Sequence, residues 1–192
     1  MISEKPERII GEYKAGAMGP LLFVMAGLHG NEPAGIIGLR RVFAILHELH
    51  PPFKGRLLGV CGNREALSRK MRYIDRDLNR LWSKSEIARV RALSHEERNS
   101  EEKELLEILR LIDAALDTPY EPKVFADMHT TSAQGGLFSI VTEQKEIREL
   151  GDALHAPMVF NLVDELALTT NRFFEDRGLL GLAFESGQHD DP

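Results

Sequence analysis

The stretch LLFVMAGLHGNEPAG, residues 21–35, decides how the rest of the chain is read. Its first six residues, Leu21 to Ala26, are apolar without interruption. A half-exposed strand alternates apolar and polar residues, whereas a strand covered on both faces has no need to. The run breaks at Gly27 into a glycine-rich turn. Pro33 suits the first helical position there, with Asn31 or Glu32 near the N-cap. Ile36, Ile37, Leu39, Val42, Phe43, Leu46 and Leu49 then recur at helical spacing until Pro51-Pro52 stops them.

Working outward, further strands are expected at 57–61, 124–128, 137–142, 158–163 and 180–184. Helices are expected from Asn99 onward, over 143–154 and over 169–176. Asn99-Ser100-Glu101-Glu102 has capping-box chemistry, and Leu105, Leu106, Ile108, Leu109, Ile112, Ala115 and Leu116 form the apolar face behind it. Between them GNREALSRKMRYIDRDLNRLW, residues 62–82, is so charged that it reads as loop and short helix. Alternating strand and helix predicts an α/β domain with a largely parallel sheet.

The chain has 192 residues, enough to bury a core of its own. With 43% apolar and 28% charged residues it has globular composition, which excludes disorder as the dominant state. A net charge of −6 repels phosphate backbones and argues against a nucleic-acid partner. No run approaches the roughly 20 apolar residues of a membrane span. The opening MISEKPERII lacks the apolar core of a signal peptide. Cys61 is the single cysteine, so neither an internal disulfide nor a cysteine-rich zinc module is available. A cytoplasmic protein with no membrane partner is expected, and its oligomeric state is left open.

In open α/β sheets ligands bind at the carboxyl ends of the strands. Three segments carry polar residues to such ends: His29 and Glu32 after the first strand, His129 in DMHTTSA, and Glu185 in FESG. Taken singly, each has an ordinary explanation: a turn histidine bonded to backbone, a structural strand-end histidine, a capping or salt-bridged glutamate. Together, two imidazoles and a carboxylate make a mixed N/O donor set suited to zinc, with a coordination position left open, the mark of a catalytic site. Asp127 shares the strand face of His129, either as its outer partner or as a buried structural carboxylate. Glu185 is the candidate base. Arg64 follows the second strand, and Asn79-Arg80 sits in the charged loop. Arginine there serves equally to bind a carboxylate or oxyanion or to pair with a surface acid such as Asp75 or Asp77.

The ordered set GLHGNEPAG, GNREAL, YIDRDLNR, DMHTTSAQGG and AFESG, spanning Leu21 to Gly187, resembles the aspartoacylase and succinylglutamate desuccinylase family, relatives of the zinc carboxypeptidases. The resemblance implies a three-layer α-β-α fold with a mixed, largely parallel sheet, and one Zn2+ per chain. It implies His29, Glu32 and His129 as ligands, Glu185 as catalytic glutamate, and Arg64 as the arginine polarising the scissile carbonyl. It implies Asn79 and Arg80 as the pair holding a substrate carboxylate, with Arg172 in the neighbourhood of a second carboxylate-binding arginine. The family pattern runs on into a smaller β-rich region. This sequence ends at Pro192, soon after the glutamate segment, and the expectation is a single catalytic domain over 1–192 without that region. His189, in GQHDD, matches nothing in that pattern and reads as a surface residue.

The implied activity is zinc-dependent hydrolysis of an N-acyl amino acid or related small amide, a small-molecule carboxylate. A metallocarboxypeptidase acting on a peptide-like substrate would use the same residues, but the short interval from His129 to Glu185 favours the deacylase. A non-catalytic metal- or carboxylate-binding module is the alternative from another class, and it would have no use for Glu185.

Overall fold

The computed structural model describes residues 5–160, 162 and 170–189. The strands are β1 (Ile9–Tyr13), β2 (Ala17–Ala26), β3 (Lys54–Cys61), β4 (Lys123–Thr131), β5 (Phe138–Val141), β6 (Met158–Phe160) and β7 (Leu180–Gln188). They form one sheet in the order β1-β3-β2-β4-β7-β5-β6. β3, β2, β4 and β7 run parallel, β1 is antiparallel to β3, and β5 is antiparallel to β7. The described helices are α1 (Ala34–Leu49), α2 (Arg64–Arg69), α3 (Lys84–Ala92), α4 (Ser100–Leu116), α5 (Lys145–Ala153) and α6 (Thr170–Glu175), with a 3-10 turn at Leu78–Arg80.

The unbroken apolar run of β2 has the cause expected of it. Leu21, Phe23 and Met25 face a core completed by α3, α4 and α6, which includes Ile87, Leu105, Ile108 and Phe174. Val24 and Ala26 face a second core with Ile36, Leu39 and Phe43 of α1 and Ile147 of α5. The sheet therefore lies between two helical layers. Each fully buried side chain of this size adds about 1.5–3 kcal/mol.

Several boundaries differ from the sequence expectation. β2 begins at Ala17 rather than Leu21. β4 and β7 continue past His129 and Glu185, so these two lie within strands rather than beyond them. Pro33 occupies the N-cap of α1 instead of its first helical position. β1 and α3 were not anticipated. Of the expected strand 158–163, positions 161 and 163 lie outside the described residues, as do Thr169 of the expected helix 169–176 and positions 1–4 and 190–192.

Candidate metal and active site

The turn leaving β2 is shaped by two glycines. Gly27 has φ +68, a left-handed conformation that glycine adopts without cost. At Gly30 a Cβ would lie 2.1 Å from the Ala66 carbonyl carbon, so only glycine lets this turn pack on the 66–71 segment. The result places His29 and Glu32, both buried, above the end of β2. β4 is the neighbouring parallel strand and brings His129 alongside. On its other side β7 sets Glu185 directly opposite His129 in register.

His29 Nδ1 lies 2.9 Å from Glu32 Oε1, and His129 Nδ1 lies 3.0 Å from Glu32 Oε2. Both rings thus turn Nδ1 toward one carboxylate. Their Nε2 atoms face outward onto two others: His29 Nε2 meets Asp77 Oδ1 at 3.1 Å, and His129 Nε2 meets Asp127 Oδ2 at 3.0 Å. A histidine that binds metal through one nitrogen commonly gives its other N–H to a carboxylate, which fixes tautomer and ring orientation. Ligand atoms of His29, Glu32 and His129 all lie within 4.8 Å of one another. Donor types, orientation and outer carboxylates therefore fit a single divalent cation.

The electrostatics agree. Burial alone would raise the Glu32 carboxyl, but hydrogen bonds from His129 and His29 outweigh it and hold the group well below the usual carboxylate range. Burial likewise opposes protonation of His129, yet Asp127 and Glu32 raise it well above an ordinary imidazole. His29 is raised against its burial by Asp77 and Glu32. Three carboxylates around two imidazoles create a field that favours a cation.

These groups open into a cavity of about 240 Å³, the scale of a small molecule. Glu185 lines it, and its Oε2 is buried with no hydrogen-bond partner among the described residues. Burial raises the Glu185 carboxyl, and the negative charges of Glu32 and Asp127 add to that rise against the opposing pull of the histidines. Asn79 also lines the cavity, with Oδ1 accepting from Thr170 N at 3.2 Å. Thr170 donates its hydroxyl to Asp127 Oδ2, tying α6 to the outer side of the site.

Three residues expected at the site do not line this cavity. Arg64 begins α2 and faces away: Nε donates to Pro6 O at 2.8 Å and Nη1 pairs with Glu107 at 3.1 Å. Arg80 is exposed and donates to the carbonyl of Asn79. Arg172 is exposed and pairs with Asp176 at 3.2 Å. For Arg64 the ordinary role, pairing with an acid, is the one found, with Glu107 of α4 as the partner rather than Asp75 or Asp77.

Three others were missed by sequence reasoning. Arg72 lines the cavity, with Nη1 3.6 Å from Glu32 Oε1 and Nη2 3.2 Å from Asp77 Oδ2. His189, expected at the surface, is half-buried and lines the cavity too. Glu101, fully buried in the first turn of α4, accepts from Asn63 Nδ2 and from the backbone N–H groups of Ile74, Asp75 and Arg76, so it fixes the loop that carries Arg72 and Asp77. No local pattern marked Arg72 among the charges of residues 62–82. The available signal for Glu101 was its place within the Asn99–Glu102 capping box, as an acid that the cap itself does not use.

A doubly covered α/β sheet thus brings two histidines and one carboxylate together at its strand ends, a group that could hold one metal ion. The model of the succinylglutamate desuccinylase/aspartoacylase catalytic domain matches residues 18–190, and the chain belongs to that family of deacylases. A succinylglutamate desuccinylase of Ectopseudomonas mendocina (strain ymp) is 42% identical over 64 residues, 32% of this chain and 18% of the relative. That of Pseudomonas fluorescens (strain Pf0-1) is 32% identical over 115 residues, 57% of this chain and 30% of the relative. The crystal structure of the Chromobacterium violaceum succinylglutamate desuccinylase superposes with a TM-score of 0.74 at 22% identity, covering 92% of this chain and 56% of that one, a likeness of fold. The matches thus span less than a third of each of these curated relatives and little more than half of the structural one. Among the described residues no helix is long and apolar enough to cross a membrane.

Proposed function

We propose that this chain is a zinc-dependent deacylase domain that hydrolyses the amide bond of an N-acyl amino acid or a related small carboxylate-bearing amide. The observation that carries this reading is one cavity holding both the His29, Glu32, His129 donor set and an unpartnered carboxylate oxygen of Glu185. His29, Glu32 and His129 would hold the zinc, which would supply Lewis-acid polarisation of the scissile carbonyl and acidify an attacking water. Glu185 takes the proton from that water and returns it to the leaving amine, and its raised carboxyl suits both halves of this transfer. We assign to Arg72, on the cavity wall with Nη1 3.6 Å from Glu32 Oε1, the charge-stabilising role that sequence reasoning gave Arg64. Asn79, its Oδ1 already held by Thr170, presents its amide NH2 to the substrate carboxylate.

The test is turnover of N-acyl amino acids against matched peptides, with zinc measured by elemental analysis. Glu185→Gln is expected to keep about one zinc per chain and to lose on the order of 10²–10⁴ in kcat. An unchanged kcat in that variant would remove Glu185 from the chemistry. Hydrolysis of the peptides alone would move the chain to the peptidase class.

A further inference from the structure

α1 is apolar on two sides. Ile36, Leu39 and Phe43 face the core beneath it, as a helix covering a sheet requires. A second apolar row, Val42, Ile45 and Leu49, faces away from the fold, and these residues are 43%, 45% and 68% exposed. Gly38 continues that row toward the start of the helix and is exposed as well. Nothing in the fold asks for glycine there, since a Cβ at Gly38 would meet no atom within 4 Å. A glycine in a helix interior weakens the helix, so its presence needs a cause outside the fold. Gly38, Val42, Ile45 and Leu49 are spaced four, three and four apart, the seam spacing of two helices packed side by side.

The charges beside the seam decide which helix fits it. Arg41 and Glu48, one heptad apart on the same flank, are both exposed. Neither side chain has an ion pair or hydrogen bond among the described residues. They stand about 10 Å apart along the axis, too far to pair with each other in one helix. The other flank, Leu39 and Leu46, packs into the fold. An antiparallel pair of identical helices brings like flanks together. Arg41 then meets Glu48 of the second copy, and by symmetry Glu48 meets its Arg41. The same register sets Val42 opposite Ile45 of the second copy and Gly38 opposite its Leu49. The most exposed side chain of the row thus enters the space that the glycine leaves. A parallel pair would set Arg41 against Leu46 and satisfy no charge.

We propose that this face of α1 docks a second copy of the chain, the two α1 helices packing antiparallel about a two-fold axis. A lipid surface suits the face less well, because a helix lying on a membrane carries basic residues along its flank, whereas this flank pairs one base with one acid and the chain has a net charge of −6. Two 16-residue helices bury less than the roughly 1,600 Å² of a standard stable interface, so the dimer is expected to exchange with monomer at micromolar concentrations. The assignment does not depend on what the cavity hydrolyses.

Sedimentation velocity of the full chain from about 1 μM to about 1 mM tests it. A reversible monomer–dimer equilibrium is expected. Arg41→Glu and Glu48→Arg should each raise the dissociation constant about tenfold or more, because two pairs are lost and two repulsions gained. Combining the two substitutions should restore dimerisation, since the pairs re-form with signs exchanged. Gly38→Gln should melt at a higher temperature as a monomer, glutamine being the better helix former, and yet dimerise more weakly. These side chains are exposed, so each variant should keep the far-ultraviolet circular dichroism of the unsubstituted protein. A monomer at every concentration overturns the proposal. So does a dimer indifferent to Arg41→Glu, or a double variant that stays as weak as its singles. Binding to phosphatidylglycerol vesicles in place of self-association would assign the face to a membrane and overturn it too.

Discussion

At the scale of single residues, the carboxylates behind the histidines decide how well the site is prepared for a cation. Asp127 holds His129 Nε2, and Thr170 in turn holds Asp127. Asp127→Asn keeps the shape but removes the charge that orients the ring. Zinc affinity is expected to fall about 10- to 100-fold, read by competition with a chromophoric chelator. Glu185 makes the opposite kind of demand. Its carboxyl is raised, so the folded state holds the proton more tightly than the unfolded chain does. Ionising it in place costs stability, and that cost appears as pH rises through the ordinary carboxylate value and persists above the raised one. Metal-free Glu185→Gln should therefore melt at a higher temperature than the unsubstituted protein at pH 7 and at the same temperature near pH 3, where both states are protonated. Such a stabilising loss of function is what the proposed role of Glu185 as a partly buried base entails. The spacing His29-x-x-Glu32, a histidine late in a buried strand and a glutamate late in another made most of this cluster visible in the sequence. The arginines were not visible. Arg64 and Arg72 differ in which way a loop turns, and that is settled by Glu107 and Glu101 on α4, more than 25 residues away in the chain.

At the scale of elements, one helix start does two jobs. Asn99 and Glu102 close a capping box on α4, a local device that the sequence displays openly. Glu101 between them turns inward, and each of its oxygens accepts from two N–H groups: Oε1 from Asn63 and Ile74, Oε2 from Asp75 and Arg76. An amide here must point its NH2 at two donors. Glu101→Gln is expected to cost about 1–3 kcal/mol and to speed amide hydrogen exchange at residues 74–76 while α1 and β4 stay protected. Uniformly faster exchange across the chain would instead make Glu101 a general core residue. The same contrast explains which elements were legible. β2, β4 and α4 announce themselves by long apolar runs or periodicity. β1 is an edge strand whose residues are mostly half-exposed, and α3 buries only Ile87 and Val90 in a run of charges, so both are defined by the surface they join rather than by their own pattern.

At the scale of the molecule, the question is whether the metal-type site holds the fold together or is held by it. The proposed ligands stand on the turn leaving β2 and on β4, inner strands that are already clamped between two apolar cores. That differs from a small zinc module, where the ion substitutes for a core. Chelated protein should accordingly keep its far-ultraviolet circular dichroism and unfold cooperatively. Free zinc at a hundredfold excess over its dissociation constant should add about 2.7 kcal/mol, an increment that His129→Ala removes. A core substitution far from the site provides the comparison. Phe43 of α1 packs beneath Gly11 and Gly59, where a Cβ on either glycine would lie within 2.6 Å of its ring, so the space around it is filled. Phe43→Ala should cost about 3–5 kcal/mol with or without zinc. Because Phe43 packs in the α1 core and, among the described residues, the hydrogen bonds of His29, Glu32 and His129 run to other groups, the zinc increment should survive in that variant to within about 0.5 kcal/mol, measured by denaturant titration of both forms. A zinc increment that vanished with Phe43 would mean that core and site form as one unit, and the ion would then be a condition of folding rather than a guest of the folded sheet.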